Sequence, residues 1–203
     1  MNARQKISII LVATSLLLVF LPGIGEYSFK EKPGKMVQLI NDDDSFVTVD
    51  QVAVLLNNDE PTFQLIDLRS EEAFKLFNIP GSINIPFQQF FEKKPETWLY
   101  NAETKYIFYG NGDINSNYAL VLARGLGYEN CFVMKGGLNE WYEKVMNSKF
   151  SGEQISPREN ALFENRLKAR QYFTQINSLP DSLKIEFAES KRQAERSLDG
   201  GCN

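Results

Sequence analysis

Cys131 and Cys202 are the only thiols in this 203-residue chain, and it contains no histidine. Without imidazole, Ser-His-Asp and Cys-His catalysis are excluded, as is any metal site that needs a histidine ligand. Two cysteines alone cannot build a structural zinc site and can form at most one disulfide. The sequence therefore offers no metal site and no residues that read as a cofactor site. Two other places carry groups that could do chemistry. The segment Gly110-Asn111-Gly112-Asp113-Ile114-Asn115-Ser116 lies between an apolar run and a helical pattern. Its glycines permit close backbone approach, and N–H groups at a helix start bind small ligands or carboxylates, which makes Gly110, Asn111, Gly112, Asp113, Asn115 and Ser116 candidate ligand-binding residues. The same segment also reads as a simple strand-to-helix turn. Asp67 and Arg69 close an earlier apolar run, where ionisable residues lie near the ligand edge of an open sheet. Paired charges beside a core are more often structural, and both are assigned that role, as is Trp141.

The elements that must position these residues are legible in the pattern. Thr48-Val49-Asp50-Gln51 has capping-box spacing for a helix through Leu56. Phe63–Asp67 reads as a buried strand, and Ser70 with Glu71 and Glu72 starts a helix. Ile79-Pro80-Gly81 is a turn into a second strand, Ser82–Ile85. Tyr106–Tyr109 is the clearest strand, and a helix from about Ser116 carries Ala119, Leu120, Ala123 and Leu126 at helical spacing before Gly127 ends it. Cys131–Met134 forms another strand, so an inert buried thiol is expected at Cys131. Gly136-Gly137 then leads into a helix with Leu138, Trp141 and Val145. Strands separated by helices imply an α/β fold with a mainly parallel sheet covered on both faces.

Composition sets the remaining bounds. The chain is 43% hydrophobic and 24% charged, enough apolar material for a core and too polar for a polytopic membrane protein. Its net charge of −4 argues against nucleic acid as a partner. That charge resides in residues 45–150, with 9 basic against 13 acidic side chains. Arg4 and Lys6 precede an uncharged apolar run, Ile7–Leu21, closed by Pro22-Gly23-Ile24-Gly25. This is the pattern of an export signal or a short membrane anchor, and residues 1–25 are assigned that role, with 7–24 spanning the membrane if uncleaved. Residues 26–44 read as a linker, 45–150 as the α/β domain, and 151–203 as a helical extension with a Gly-Gly-Cys tail. In the extension, Ser156-Pro157-Arg158-Glu159 starts a helix expected to run to about Tyr172 or Phe173, and residues 182–197 read as a second, highly charged helix.

From about Val47 to Met146 the sequence resembles a single rhodanese-like domain. The resemblance rests on Leu65-Ile66-Asp67-Leu68-Arg69, on Glu72-Ala73-Phe74 with Asn78-Ile79-Pro80-Gly81-Ser82-Ile83-Asn84-Ile85-Pro86, on the position of Tyr109–Ser116, and on Met134-Lys135-Gly136-Gly137-Leu138-Asn139-Glu140-Trp141. Phe77 and Asn78 stand where the family usually has Gly-His. The resemblance places the family's catalytic loop at residues 110–115, at the length used by its sulfurtransferases. In that family the loop begins with a cysteine, whose thiolate takes up sulfane sulfur as a persulfide, and ends five positions later with an arginine. Gly110 occupies the first position here and Asn115 the last, so neither nucleophile nor anion clamp is present. Asp113 is expected to put a negative charge inside the cradle.

These observations imply an exported, membrane-anchored, catalytically inactive rhodanese-like domain acting as a binding or assembly module in the cell envelope. It would lie on the periplasmic side of the inner membrane, or free in the periplasm if the signal is cleaved. The expected partner is an envelope protein or a small anionic ligand. The alternative is a sulfurtransferase or sulfane-sulfur carrier whose thiol is Cys202, preceded by Gly200-Gly201. No basic neighbour activates that thiol, which weighs against the alternative.

Overall fold

The computed structural model describes residues 2, 4–8, 11, 14, 30, 32–58, 62–92, 95–149, 156–184 and 186. Most of the apolar run at 7–24 and the whole Gly-Gly-Cys tail lie outside the described residues, as does most of the charged helix expected at 182–197. Among the described residues no helix is long and apolar enough to cross a membrane.

Five strands form one sheet: β1 (Phe46–Val47), β2 (Phe63–Asp67), β3 (Ile83–Asn84), β4 (Lys105–Tyr109) and β5 (Cys131–Met134), in the order β1-β5-β4-β2-β3. Every neighbouring pair is parallel. The register sets Asp67 beside both Asn84 and Tyr109, so the segments that follow β2, β3 and β4 emerge together at one edge. Strand β4 shows why the pattern folds this way. Tyr106 and Phe108 belong to one core and Ile107 and Tyr109 to the other, all nearly inaccessible, as the two-residue period of a strand covered on both faces requires.

Helices cover each face. On one lie α2 (Val49–Asn57), which the Thr48–Gln51 capping box starts as expected, and α6 (Gly137–Trp141), prolonged by a π-turn over Tyr142–Met146. On the other lie α4 (Phe87–Glu92) and α5 (Ile114–Gly125), where Phe90, Trp98 and Phe108 meet edge to face. Helix α3 (Glu71–Leu76) begins at Ser70, whose side chain accepts from the Ala73 N–H. Helix α5 starts two residues before the expected Ser116, because the Asn117 N–H already reaches the Asp113 carbonyl at 2.8 Å.

Two segments differ from their sequence reading. Residues expected as linker contain α1 (Pro33–Gln38) and two 3₁₀ turns, Leu39–Asn41 and Asp43–Ser45. Pro33 stands at the first helical position, where its fixed φ suits a helix start, and the Lys30 N–H bonds the Gly125 carbonyl at 2.8 Å. This segment therefore rests against the end of α5, which its Gly-, Pro- and Asp-rich composition concealed. The carboxyl-terminal helix α7 (Pro157–Asn177) runs four residues beyond Phe173. It packs on α2 and on the π-turn, burying Ala169, Phe173 and Ile176, with Phe173 against Trp141 and Tyr142. Arg166 grips Asp50 through two bonds of 2.6 and 2.7 Å. At its end Asn177 accepts from the Asn78 N–H at 2.9 Å and donates to the Asn78 carbonyl at 2.8 Å. These bonds fasten the last turn and extend the helix beyond its apolar pattern.

Candidate functional site

The loop that follows β4 begins at Gly110, whose φ lies outside the left-handed region. A Cβ there would meet only the Gly112 carbonyl at 3.5 Å and Ser116 Oγ at 3.9 Å, ordinary contact distances. Ser116 is 0% exposed, and its hydroxyl has no hydrogen-bond partner. The missing side chain thus leaves a small notch with room for a Cβ.

The loop's outer wall is tied to the Gly136-Gly137 turn. The first N–H groups of a helix have no partners within it, and here the loop supplies them. The Leu138 N–H donates to the Gly110 carbonyl at 2.9 Å and the Asn139 N–H to the Asn111 carbonyl at 3.0 Å. The Gly136 N–H donates to Asp113 Oδ1 at 2.6 Å. Asp113 is therefore held by the turn and makes no side-chain cap for α5. The sequence leads one to expect this charge inside the cradle; the geometry holds it on a backbone donor, where the positive end of α6 favours it. Gly136 and Gly137 both have positive φ, of 73° and 55°.

Around this wall Asn111, Asn115 and Asn139 are exposed amides. Ile114 and Tyr118 stand 73% and 57% exposed, and Tyr118 touches the Phe87 ring at 6.2 Å between centroids. Sequence reasoning missed this apolar rim. Its signal was the i, i+4 pair on the face of α5 opposite Ala119, Leu120 and Ala123.

Asp67 and Arg69 form a closed pair beside the loop. Asp67 is 0% and Arg69 7% exposed. The guanidinium donates to Asp67 at 2.6 to 3.1 Å, the Arg69 N–H adds a bond of 2.9 Å, and Nη2 also reaches the Phe77 carbonyl at 2.7 Å. Its Cζ lies 4.8 Å from the Phe77 ring centroid. Asn84 donates to the carbonyls of both Asp67 and Arg69. The donors are spent on the fold, and the pair acts as a brace. Trp141 is fully buried in the core cluster. Among the described residues no three Cys, Asp or Glu side chains gather as metal ligands would.

The buried groups make the chain sensitive to alkali. Burial pushes the Cys131 thiol up to about 12, with Arg124 pulling partly back. Burial, and then the charge of Asp67, raise the Tyr109 hydroxyl well above its usual range. Tyr109 accepts from the Ile79 N–H and donates to Ser82 Oγ, so the proton it keeps also holds the Ile79-Pro80-Gly81 turn. Unfolded thiols and phenols ionise near pH 8.5 and 10. Between those values and the raised native ones the folded state binds more protons, so stability is complete below about pH 8.5 and falls as pH rises. Melts from pH 8 to 11 are expected to show a steady loss of up to roughly 1.4 kcal/mol per pH unit per group. Cys131→Ala should move the onset to higher pH. A melting temperature flat to pH 11 contradicts the assignment.

With this geometry in hand, comparison with known proteins decides the family of the domain. The family model described as "Rhodanese-like domain" matches residues 48–144, which contain the whole loop, its Gly-Gly partner and the Asp67–Arg69 brace. Residues 48–144 are a rhodanese-like domain. The rhodanese-like segment is 34% identical over 109 residues to the adenylyltransferase and sulfurtransferase UBA4 of Lodderomyces elongisporus, covering 49% of this chain and 23% of that protein. It is 30% identical over 113 residues to the protein of the same name from Ogataea parapolymorpha, covering 55% and 27%. The chain thus spans about a quarter of the length of these curated relatives. It is also similar to the solved human single-domain sulfurtransferase TSTD1, at 26% identity and a TM-score of 0.43, over 49% of this chain and 96% of that one.

Proposed function

We infer that this rhodanese-like domain no longer transfers sulfur and serves as a binding or assembly module, with residues 110–116 and the exposed Ile114–Tyr118 rim as its binding edge. The observation that carries the reading is Gly110. At the start of the loop, where the resemblance calls for a thiol, there is a hydrogen atom, and the notch it leaves is intact. Asn115 brings no charge to hold thiosulfate, and Asp113 keeps a carboxylate in the loop wall. The fungal relatives are sulfurtransferases by name; Gly110 and Asn115 depart from the cysteine and arginine that the family resemblance implies for the loop. The partner is an envelope protein or a small anionic ligand received by the N–H groups at the start of α5. The basic head and apolar run at residues 4–24 support export and anchoring, with the domain on the periplasmic side of the inner membrane, or released there after cleavage.

Sulfur transfer from thiosulfate to cyanide tests the reading. The native chain is expected to show none above the uncatalysed rate. Gly110→Cys with Asn115→Arg is expected to form a persulfide on the introduced thiol, because the notch accepts a Cβ at contact distance and the α5 N–H groups lower a thiol's pKa. Turnover by the native chain overturns the proposal. For location, a reporter active only outside the cytoplasm, fused after residue 203, should be active in a bacterial host and silent when residues 1–25 are removed.

A further inference from the structure

We propose that the cavity between α1 and the last turn of α5 is a second binding site, which takes a small zwitterion, an α-amino acid with an apolar side chain. The ligand's carboxylate rests on Arg124 and its ammonium group on Asp42 and Glu129. The site is separate from the 110–116 loop. That loop leads into the first turn of α5, and Arg124 stands in the last turn, about 15 Å further along a helix that rises about 1.5 Å per residue.

The cavity encloses about 280 Å³, close to the small end of ligand pockets at roughly 300 Å³. Among the described residues, Lys35, Met36, Leu39, Asp42, Arg124 and Glu129 line it. Arg124 is held by the fold. Its Nε donates to the Cys131 carbonyl at 3.1 Å, its Nη1 to Ser45 Oγ at 3.0 Å, and its Cζ lies 5.4 Å from the Phe132 ring centroid. Those bonds use two of the three nitrogens and leave Nη2 for a carboxylate, which a fixed guanidinium binds well. Asp42 and Glu129 bring two carboxylates to the same cavity, yet among the described residues no ion pair joins either of them to Arg124. The side chain of Asp42 accepts only from the nearby Asp44 N–H, at 3.2 Å. Opposite charges that line one cavity without meeting suit a ligand that bears both signs. A simple anion would face the two carboxylates, and a simple amine would face Arg124 and Lys35. The half-buried Met36 and Leu39 supply an apolar wall for the ligand's side chain.

The walls are in place before a ligand arrives. The Lys30 N–H holds the Gly125 carbonyl at 2.8 Å, which ties the segment before α1 to the end of α5. The Lys30 side chain then lies over Gly127, where φ is 100° and a Cβ would come within 2.8 Å of Lys30 Cδ. Ser45, the partner of Arg124, is 0% exposed. Groups fixed in this way lose little freedom on binding.

Titration of the full chain with L-valine, followed by amide shifts, tests this. Shifts are expected at residues 35–42 and 124–131 and not at 110–116, with saturation below about 10 mM. Isovalerate lacks the amine and isobutylamine the carboxylate. Each is expected to bind at least about tenfold more weakly than valine, because each forfeits one charged contact. Asp42→Asn combined with Glu129→Gln should weaken valine binding by a similar factor while leaving the bonds of Arg124 unaltered. Absence of shifts at 35–42 and 124–131 overturns the proposal, as does either analogue binding as well as valine. An unchanged affinity of the double variant overturns it too, and if that variant fails to fold the ligand series alone decides. None of these results touches the reading of the loop, which fails only through sulfur turnover by the native chain.

Discussion

Gly137→Ala is expected to destabilise the protein by about 3 kcal/mol or more, lowering the melting temperature by roughly 6–12 °C. The new Cβ would lie 2.6 Å from the Gly110 carbonyl oxygen and 3.0 Å from the Asn111 carbonyl carbon and oxygen, all backbone atoms that cannot swing aside. The positive φ of 55° adds roughly 1–2 kcal/mol for any residue with a side chain. Relief requires the loop to leave the turn, breaking the bonds from Leu138 and Asn139 to the carbonyls of Gly110 and Asn111. Gly112→Ala is the contrast. Its Cβ would meet nothing closer than Asn139 Nδ2 at 3.9 Å, so its melting temperature should stay within a few degrees of native. Equal melting temperatures for the two variants would show that the turn does not hold the loop.

Arg69→Met is expected to cost about 3–5 kcal/mol, the usual effect of removing one partner of a buried pair. Asp67 has no access to water, and the substitution leaves its carboxylate with one backbone donor, the residue-69 N–H. The Phe77 carbonyl and ring lose the same guanidinium. Adding Asp67→Leu removes the stranded charge, so the double variant should recover at least about 1–2 kcal/mol over Arg69→Met alone. Chemical denaturation of the four members of the cycle measures this. A double variant no better than the sum of the singles would contradict the role of the pair as a brace.

What was legible in the sequence was whatever depends on local pattern. The two-residue period of Tyr106–Tyr109, the capping boxes at Thr48 and Ser156, and the turn residues at Ile79-Pro80-Gly81 and Gly136-Gly137 placed most strands and helices. The pairing of buried Asp67 with Arg69 and the burial of Trp141 are in keeping with the rule that buried charges are paired and large aromatics fill cores. What depends on long-range contact was not legible. Helix α7 runs to Asn177 because of bonds to Asn78, 99 residues away in sequence. Helix α1 lies in a segment with no amphipathic period, and its contact with the end of α5 is formed by the fold alone. Asp113 could be placed in the loop from its position, but its direction is set by Gly136, 23 residues further on. The exposed Ile114 and Tyr118 were hidden for the opposite reason. They interrupt no pattern, and exposure becomes visible only when the opposite face of α5 is seen buried.

The proposed role as a binding module stands or falls on the absence of sulfur chemistry at residues 110–116. Intact mass of residues 27–203 after incubation with thiosulfate, with peptide mapping, tests it most directly. The mass is expected to stay unchanged. Gain of one sulfur atom on the Cys202 peptide, absent in Cys202→Ser, would contradict it and make the chain a sulfur carrier that uses its tail in place of the loop.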